Sequence, residues 1–185
     1  PLQLRYSLES GEVVHATALL DDDTLVLDLP APVQWVVANA AAVKEAVCGG
    51  NFHFIFNFAA YATVIEKAME NPYETIQANT LGLINILESV RGLKLRPTRI
   101  FHASTDKVYG EMDGEPYDEE KTPLRGIGVY DGAKLAADVF ARTYHDVYGL
   151  GATAVRLTNV FGPRQRLTDD LQGFLPIFVR RALDD

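Results

Sequence analysis

Tyr130 and Lys134 form a Tyr-x-x-x-Lys pair at the start of a stretch with helical periodicity. Residues four apart share one helix face, so the ammonium can stand beside the phenol. A phenol with an ordinary pKa of about 10 is a poor base at neutral pH, and a nearby cation stabilises the phenolate. Such a pair can remove a hydroxyl proton while hydride leaves the same carbon. The plainer alternative is a partly exposed tyrosine and a solvated lysine on an amphipathic helix, since the spacing also recurs by chance. A second polar group, Ser104-Thr105-Asp106-Lys107, ends the apolar run that starts at Arg99. The carboxyl end of a strand is where open α/β sheets place ligands. A turn satisfied by its own Ser, Thr and Asp is the competing explanation.

These groups need elements to hold them. Phe54 to Phe58 reads as a buried parallel strand, and Arg99 to Ser104 and Ala152 to Leu157 read as two more. Asn71-Pro72 reads as N-cap and first turn of a helix. Its apolar Tyr73, Ile76, Leu83, Ile84, Leu87 and Val90 recur at helical steps before Gly92 stops it. A second long helix runs from about Tyr130 to Tyr148 and closes at Gly149, and an amphipathic helix spans Gln172 to Leu183. Residues 111–126, acidic and rich in Gly and Pro, form a loop that borders the site. The alternation implies an α/β fold, a Rossmann-like doubly wound parallel sheet with helices on both faces. Glu12 to Ala18 and Thr24 to Leu29 also read as strands, either of which could be the second of a nucleotide-binding half.

The chain has 185 residues, enough for one domain spanning 1–185, with residues 1–41 atypical. A net charge of −8 argues against nucleic acid or anionic lipid as partner. No run of about 18 apolar residues spans a membrane, and no signal peptide opens the chain. The single cysteine, Cys48, fits a reducing compartment, hence a cytoplasmic protein. His53 and His102 sit in apolar strands without a partner at metal-ligand spacing, so both read as satisfied core histidines and no metal is expected.

Five motifs in order carry a resemblance: Asn57-Phe58-Ala59-Ala60, Asn79-Thr80-Leu81-Gly82, Ala103 to Gly110, the Tyr130/Lys134 pair, and Arg156 to Pro163. Over residues 42–185 the chain resembles the extended short-chain dehydrogenases, the NAD-dependent nucleotide-sugar epimerase/dehydratase family. The resemblance implies NAD as cofactor and a nucleotide-diphosphate sugar as substrate. It implies that Ser104 or Thr105 bonds the sugar C4 hydroxyl, that Tyr130 is the C4 base, and that Lys134 holds the nicotinamide ribose and lowers the tyrosine pKa. Asn57, Phe58, Ala59, Ala60 and Tyr61 would line the adenosine and pyrophosphate side, with Asn79 and Ser104 also on the cofactor. Asn159 and Arg164 would take the diphosphate, the alternatives being a turn residue and a surface charge. Helices 72–91 and 130–149 match the pair through which such enzymes form homodimers.

Thr105-Asp106-Lys107 looks like the signature of the 4,6-dehydratases of the CDP-glucose or dTDP-glucose type. There Asp106 would be the acid for the C6 hydroxyl, and Lys107 the C5 base if its pKa is depressed. A C4 epimerase, in which Lys107 is merely solvated, is the alternative. The chain departs from the family at its start: residues 1–47 contain only Gly11, so no glycine-rich loop brings backbone N–H groups to a pyrophosphate. Val36-Val37-Ala38-Asn39 stands where relatives carry a Gly-Asp, leaving Asp28 as a conceivable ribose ligand. The expectation is therefore a truncated fold lacking the first Gly-rich βα unit and the C-terminal substrate domain. It is either a piece of an active enzyme or a non-catalytic Rossmann-like remnant.

Overall fold

A computed structural model of the chain describes residues 2–7, 13–21, 24–27, 37–50, 52–61, 65–97, 99–112, 114–162 and 174–184. Six strands form one sheet in the order β1 (Leu2–Ser7), β2 (Val13–Asp21), β3 (Thr24–Leu27), β4 (Phe54–Asn57), β5 (Arg99–Thr105) and β6 (Ala152–Leu157). Strands β3 to β6 pair in parallel, as the alternation of elements predicts. The N-terminal edge does not follow: β1, β2 and β3 pair antiparallel. Only two residues separate β2 from β3, and so short a link allows a hairpin but not the crossover that a parallel pair requires. Of the expected strand Glu12 to Ala18, the described residues 13–18 thus lie in a hairpin strand, β2, and 24–27 is the parallel neighbour of β4. Strand β1 was not anticipated, although Leu2, Leu4 and Tyr6 alternate with polar residues at the period of a strand.

Helices α1 (Ala40–Cys48), α4 (Gly82–Arg91) and α5 (Val129–Tyr148) cover the sheet around Ile55, Ile100 and Ala152. Asn39 caps α1 by accepting from Ala41 N and Ala42 N at 3.0 and 3.1 Å. Val43, Val47, Leu83, Ile86, Leu87 and Val90 fill the space between α1, α4 and the sheet. On α5 the buried face is a stripe of Ala133, Ala137 and Ala141. The helix ends at Gly149, whose φ of 65° is a left-handed stop. Helix α6 (Phe174–Asp184) covers most of the predicted 172–183 span.

The predicted helix 72–91 is continuous but not uniform. It comprises α3 (Pro72–Ile76), a π-helical turn (Gln77–Leu81) and α4, and is preceded by α2 (Ile65–Glu70). The π turn rotates the buried face, so Ala78, Asn79 and Thr80 turn inward while Tyr73 and Ile76 lie exposed. Asn71 stands at the N-cap, but its side chain makes no capping bond; its Nδ2 donates to Lys67 O at 3.4 Å.

Neither histidine is a satisfied core residue. His53 is exposed ahead of β4. His102 is buried on β5, its Nδ1 3.1 Å from Asn57 Nδ2 and its Nε2 unpartnered. Burial, with Lys134 nearby, holds its pKa well below 6.5, so it is neutral. Among the described residues no cluster of ligating side chains could hold a metal ion, and no helix is long and apolar enough to cross a membrane.

Candidate active site

Strand β5 delivers Thr105 to the carboxyl edge of the parallel sheet, and a 3-10 turn (Asp106–Tyr109) follows. Thr105 is nearly buried; its Oγ1 donates to Asp106 Oδ1 at 3.2 Å and accepts from Lys107 N at 3.4 Å. Gly110 then turns the chain with a φ of 77°, and the returning strand of loop is fastened by Arg125 N donating to Val108 O at 2.8 Å. Tyr117, from the acidic loop, stacks on Tyr109 with ring centres 4.8 Å apart. Lys107 is exposed, so the chain around it does not supply the desolvation that a lysine base needs.

Tyr130 and Lys134 occupy the first turns of α5. Lys134 is not a solvated surface lysine: it is 2% exposed, and its Nζ donates to Ala103 O at 2.8 Å. Burial lowers its pKa to about 8. The same Nζ lies 6.0 Å from the Tyr130 ring centre. The tyrosine pKa is nonetheless pushed up to about 12, first by burial and then by the charges of Asp131 and Asp106. Lys134 is not among the causes of that shift; its ammonium is turned toward the Ala103 carbonyl. The 3-10 turn packs against α5, the helix that carries Tyr130 and Lys134. Close approach is built in: a Cβ on Gly126 would lie 2.7 Å from Asp131 O, next to Tyr130.

One turn after Lys134, Asp138 anchors a network that the sequence did not reveal. Ser104 Oγ donates to Asp138 Oδ2 at 2.9 Å, and Arg156 donates to both carboxylate oxygens, each at 2.9 Å. Arg156 Nη1 also donates to Tyr109 OH at 2.8 Å. The hydroxyl of Ser104 is thus committed to α5, and Thr105 is the hydroxyl beside Asp106. The available signal was the four-residue step from Lys134 to Asp138 on an otherwise alanine-lined face.

The remaining expected residues divide. Asn57 is buried, donating to His102 and accepting from Ala59 N, while Phe58 is half exposed at the carboxyl end of β4. Ala59 is buried, and Ala60 and Tyr61 are partly so. Asn79 Nδ2 donates to Tyr61 O and Thr75 O at 2.8 and 2.9 Å, and its Oδ1 accepts from Tyr61 N at 3.2 Å. It therefore braces the segment after β4 from within the protein. Asn159 is exposed just beyond β6. Arg164 and Asp28 lie outside the described residues.

Thr105-Asp106 at the carboxyl edge of the parallel strands, beside a helix carrying Tyr130 and Lys134, is the arrangement that the resemblance to the short-chain dehydrogenases implies. Residues 32–178 match the family model described as GDP-mannose 4,6 dehydratase. The chain belongs to that family, within the NAD-dependent nucleotide-sugar epimerases and dehydratases. It is 34% identical over 153 residues to the dTDP-glucose 4,6-dehydratase of Mycolicibacterium smegmatis, covering 82% of this chain and 43% of that protein. The dTDP-glucose 4,6-dehydratase of Streptomyces venezuelae, solved with NAD and TYD bound, is similar with a TM-score of 0.65 and 28% identity, covering 80% of this chain and 43% of that one. The UDP-glucose 4-epimerase of Thermus thermophilus in complex with NAD is similar with a TM-score of 0.68 and 30% identity, over 80% and 47%. The chain thus spans less than half the length of these relatives.

Proposed function

We propose that the chain carries the catalytic half of an NAD-dependent nucleotide-sugar 4,6-dehydratase. The observation that carries this reading is Asp106 bonded to Thr105 on a turn packed against the helix of Tyr130, an acid for which oxidation at C4 alone has no use. The nicotinamide side of the cofactor fits the residues present. Lys134 holds a buried three-donor ammonium at the sheet's carboxyl edge, suited to a ribose diol, while Asn57 to Tyr61 line the neighbouring strand end. When bound, NAD would accept hydride from C4 and return it at C6, which leaves no net redox change and favours NAD over NADP.

The chain's own residues move the protons. Thr105 bonds the C4 oxygen, and Tyr130 takes its proton, with Lys134 the cation placed to stabilise the phenolate. The C4 ketone makes the C5 proton acidic. Lys107 removes it once the substrate covers that side chain, and Asp106 protonates the departing C6 hydroxyl. Asn159 and Arg164 would hold the diphosphate. The exposure of Lys107 favours a second reading, a C4 epimerase, which needs only Thr105, Tyr130 and Lys134. A homodimer would pair helices 72–91 and 130–149, which expose Tyr73, Ile76, Val139 and Phe140.

The test is turnover of CDP-glucose and dTDP-glucose with NAD, in the chain and in Asp106→Asn. A dehydratase forms a 4-keto-6-deoxy sugar, and Asp106→Asn stalls it with reduced cofactor accumulating. If Asp106→Asn keeps full turnover and the product is the C4 epimer, the dehydratase reading is lost. If calorimetry detects no NAD binding by the folded chain, the chain as given is catalytically incomplete and the dehydratase reading passes to its full-length parent.

A further inference from the structure

The segment that carries Thr105, Asp106 and Lys107 is held at both ends by the same ion pair. At its start, Ser104 Oγ donates to Asp138 Oδ2. At its end, Tyr109 OH accepts from Arg156 Nη1, and the guanidinium lies 4.9 Å from the Tyr109 ring centre. Asp138 and Arg156 are joined by two bonds of 2.9 Å. Their side chains are 6% and 20% exposed, so the pair is little weakened by solvent. Asp138 sits on α5, Arg156 on β6, and the tethered residues on β5 and the 3-10 turn.

We propose that the Asp138–Arg156 pair is a positioning unit for the reacting hydroxyl: it fixes both ends of residues 104–109 and so sets where Thr105 and Asp106 stand relative to α5. This rests on the reading of Thr105 and Asp106 as substrate-facing groups. The geometry suits the task better than either residue alone. Arg156 uses three N–H donors in a planar fork, two toward Asp138 and one toward Tyr109, an arrangement that a lysine's point charge cannot reproduce. Asp138 uses one oxygen for both Ser104 and Arg156, so movement of either is felt by the other. The pair lies one helical turn from Lys134, whose Nζ bonds Ala103 O, and that contact fixes the residue before Ser104 as well. Lys134, Thr105 and Asp106 are thereby placed by bonds that converge on residues 103–109, with Tyr130 one turn ahead of Lys134 on the same helix.

Tyr109→Phe cuts one tether and keeps the ring in its stack; Ser104→Ala cuts the other. Arg156→Lys keeps the charge and loses the fork. Amide hydrogen exchange is measured over residues 104–110 and over α4 as an internal reference. Each variant is expected to speed exchange in 104–110 by about five- to tenfold, the equivalent of one lost hydrogen bond, with α4 unchanged. Nucleotide-sugar turnover is expected to lose kcat with KM and NAD affinity nearly unchanged, because placement and not binding is disturbed. Unchanged exchange in Tyr109→Phe overturns the tether, and equal acceleration in α4 reduces it to general stability. Local acceleration with an unaltered kcat overturns the positioning role. If the parent chain turns over no nucleotide sugar, the dehydratase reading fails while the exchange comparison still decides the tether.

Discussion

Lys134 Nζ donates to Ala103 O at 2.8 Å, which fastens the first turns of α5 to the strand two residues ahead of Thr105. The bond has a pH signature, because it is made by an ammonium that burial brings to a pKa of about 8, from 10.5. The folded state then holds fewer protons than the unfolded state between those values, so stability rises with pH across that window. Below it the buried charge costs on the order of 3 kcal/mol at most. Tyr130, whose pKa moves from 10.0 to about 12, acts the other way, lowering stability as pH rises above 10. Urea unfolding of the chain and Lys134→Met should show a stability difference that moves in favour of the parent from pH 8 toward 10. A pH-independent difference would mean that the ammonium is not desolvated.

Tyr130 must ionise to act as a base, and Asp131 is the larger of the two charges opposing it. Asp131→Asn should lower the phenol pKa and displace the rising limb of the pH–rate profile toward lower pH. Tyr130→Phe should lose about 100- to 10,000-fold in kcat. An unmoved limb in Asp131→Asn would assign the rate-controlling ionisation to another group.

Asn79 makes three side-chain hydrogen bonds, all to the backbone of Tyr61 and Thr75. Asn79→Ala should cost about 2–3 kcal/mol, since it strands buried N–H and C=O groups. Asn79→Asp should cost more, because it sets a carboxylate against two carbonyl oxygens. Denaturant midpoints for both variants check the order; a cost below 1 kcal/mol would mean that water replaces the side chain at once.

The proposed dimer depends on apolar side chains that face outward. Tyr73 is 67% exposed, Val139 49% and Phe140 38%. Phe140→Glu should shift the chain to monomer in sedimentation velocity at micromolar concentration, with the fold retained. A chain that is already monomeric before substitution contradicts the interface.

Where local chemistry decided the structure, the sequence was readable. The apolar runs at 54, 99 and 152 are strands, and Gly149 ends α5 because only a left-handed residue closes that turn. The π turn was hidden, since periodicity assumes one rotation per residue and Asn79 breaks it for the sake of Tyr61. The hairpin edge was hidden because strand propensity does not tell parallel from antiparallel pairing. In the site, Thr105, Asp106, Tyr130 and Lys134 stood out by type and spacing. Asp138, Arg156 and Tyr109 did not, because their bonds join residues 18, 34 and 47 positions apart. The direction of the Tyr130 shift was also beyond reach, as it depends on burial and on neighbours from two elements.

The alanine stripe on α5 leaves an ambiguity that the polar residues remove. Ala133, Ala137 and Ala141 repeat every four residues, so sliding the helix by one turn would lay alanine on alanine and keep the apolar contact nearly intact. The polar face has no such symmetry. After that slide Asp138 would confront the carbonyl of Ala103, and Arg142 would meet Arg156, like against like. The helix can therefore seat in one alignment only, with Lys134 and Asp138 serving as the key that rejects a misthreaded fold.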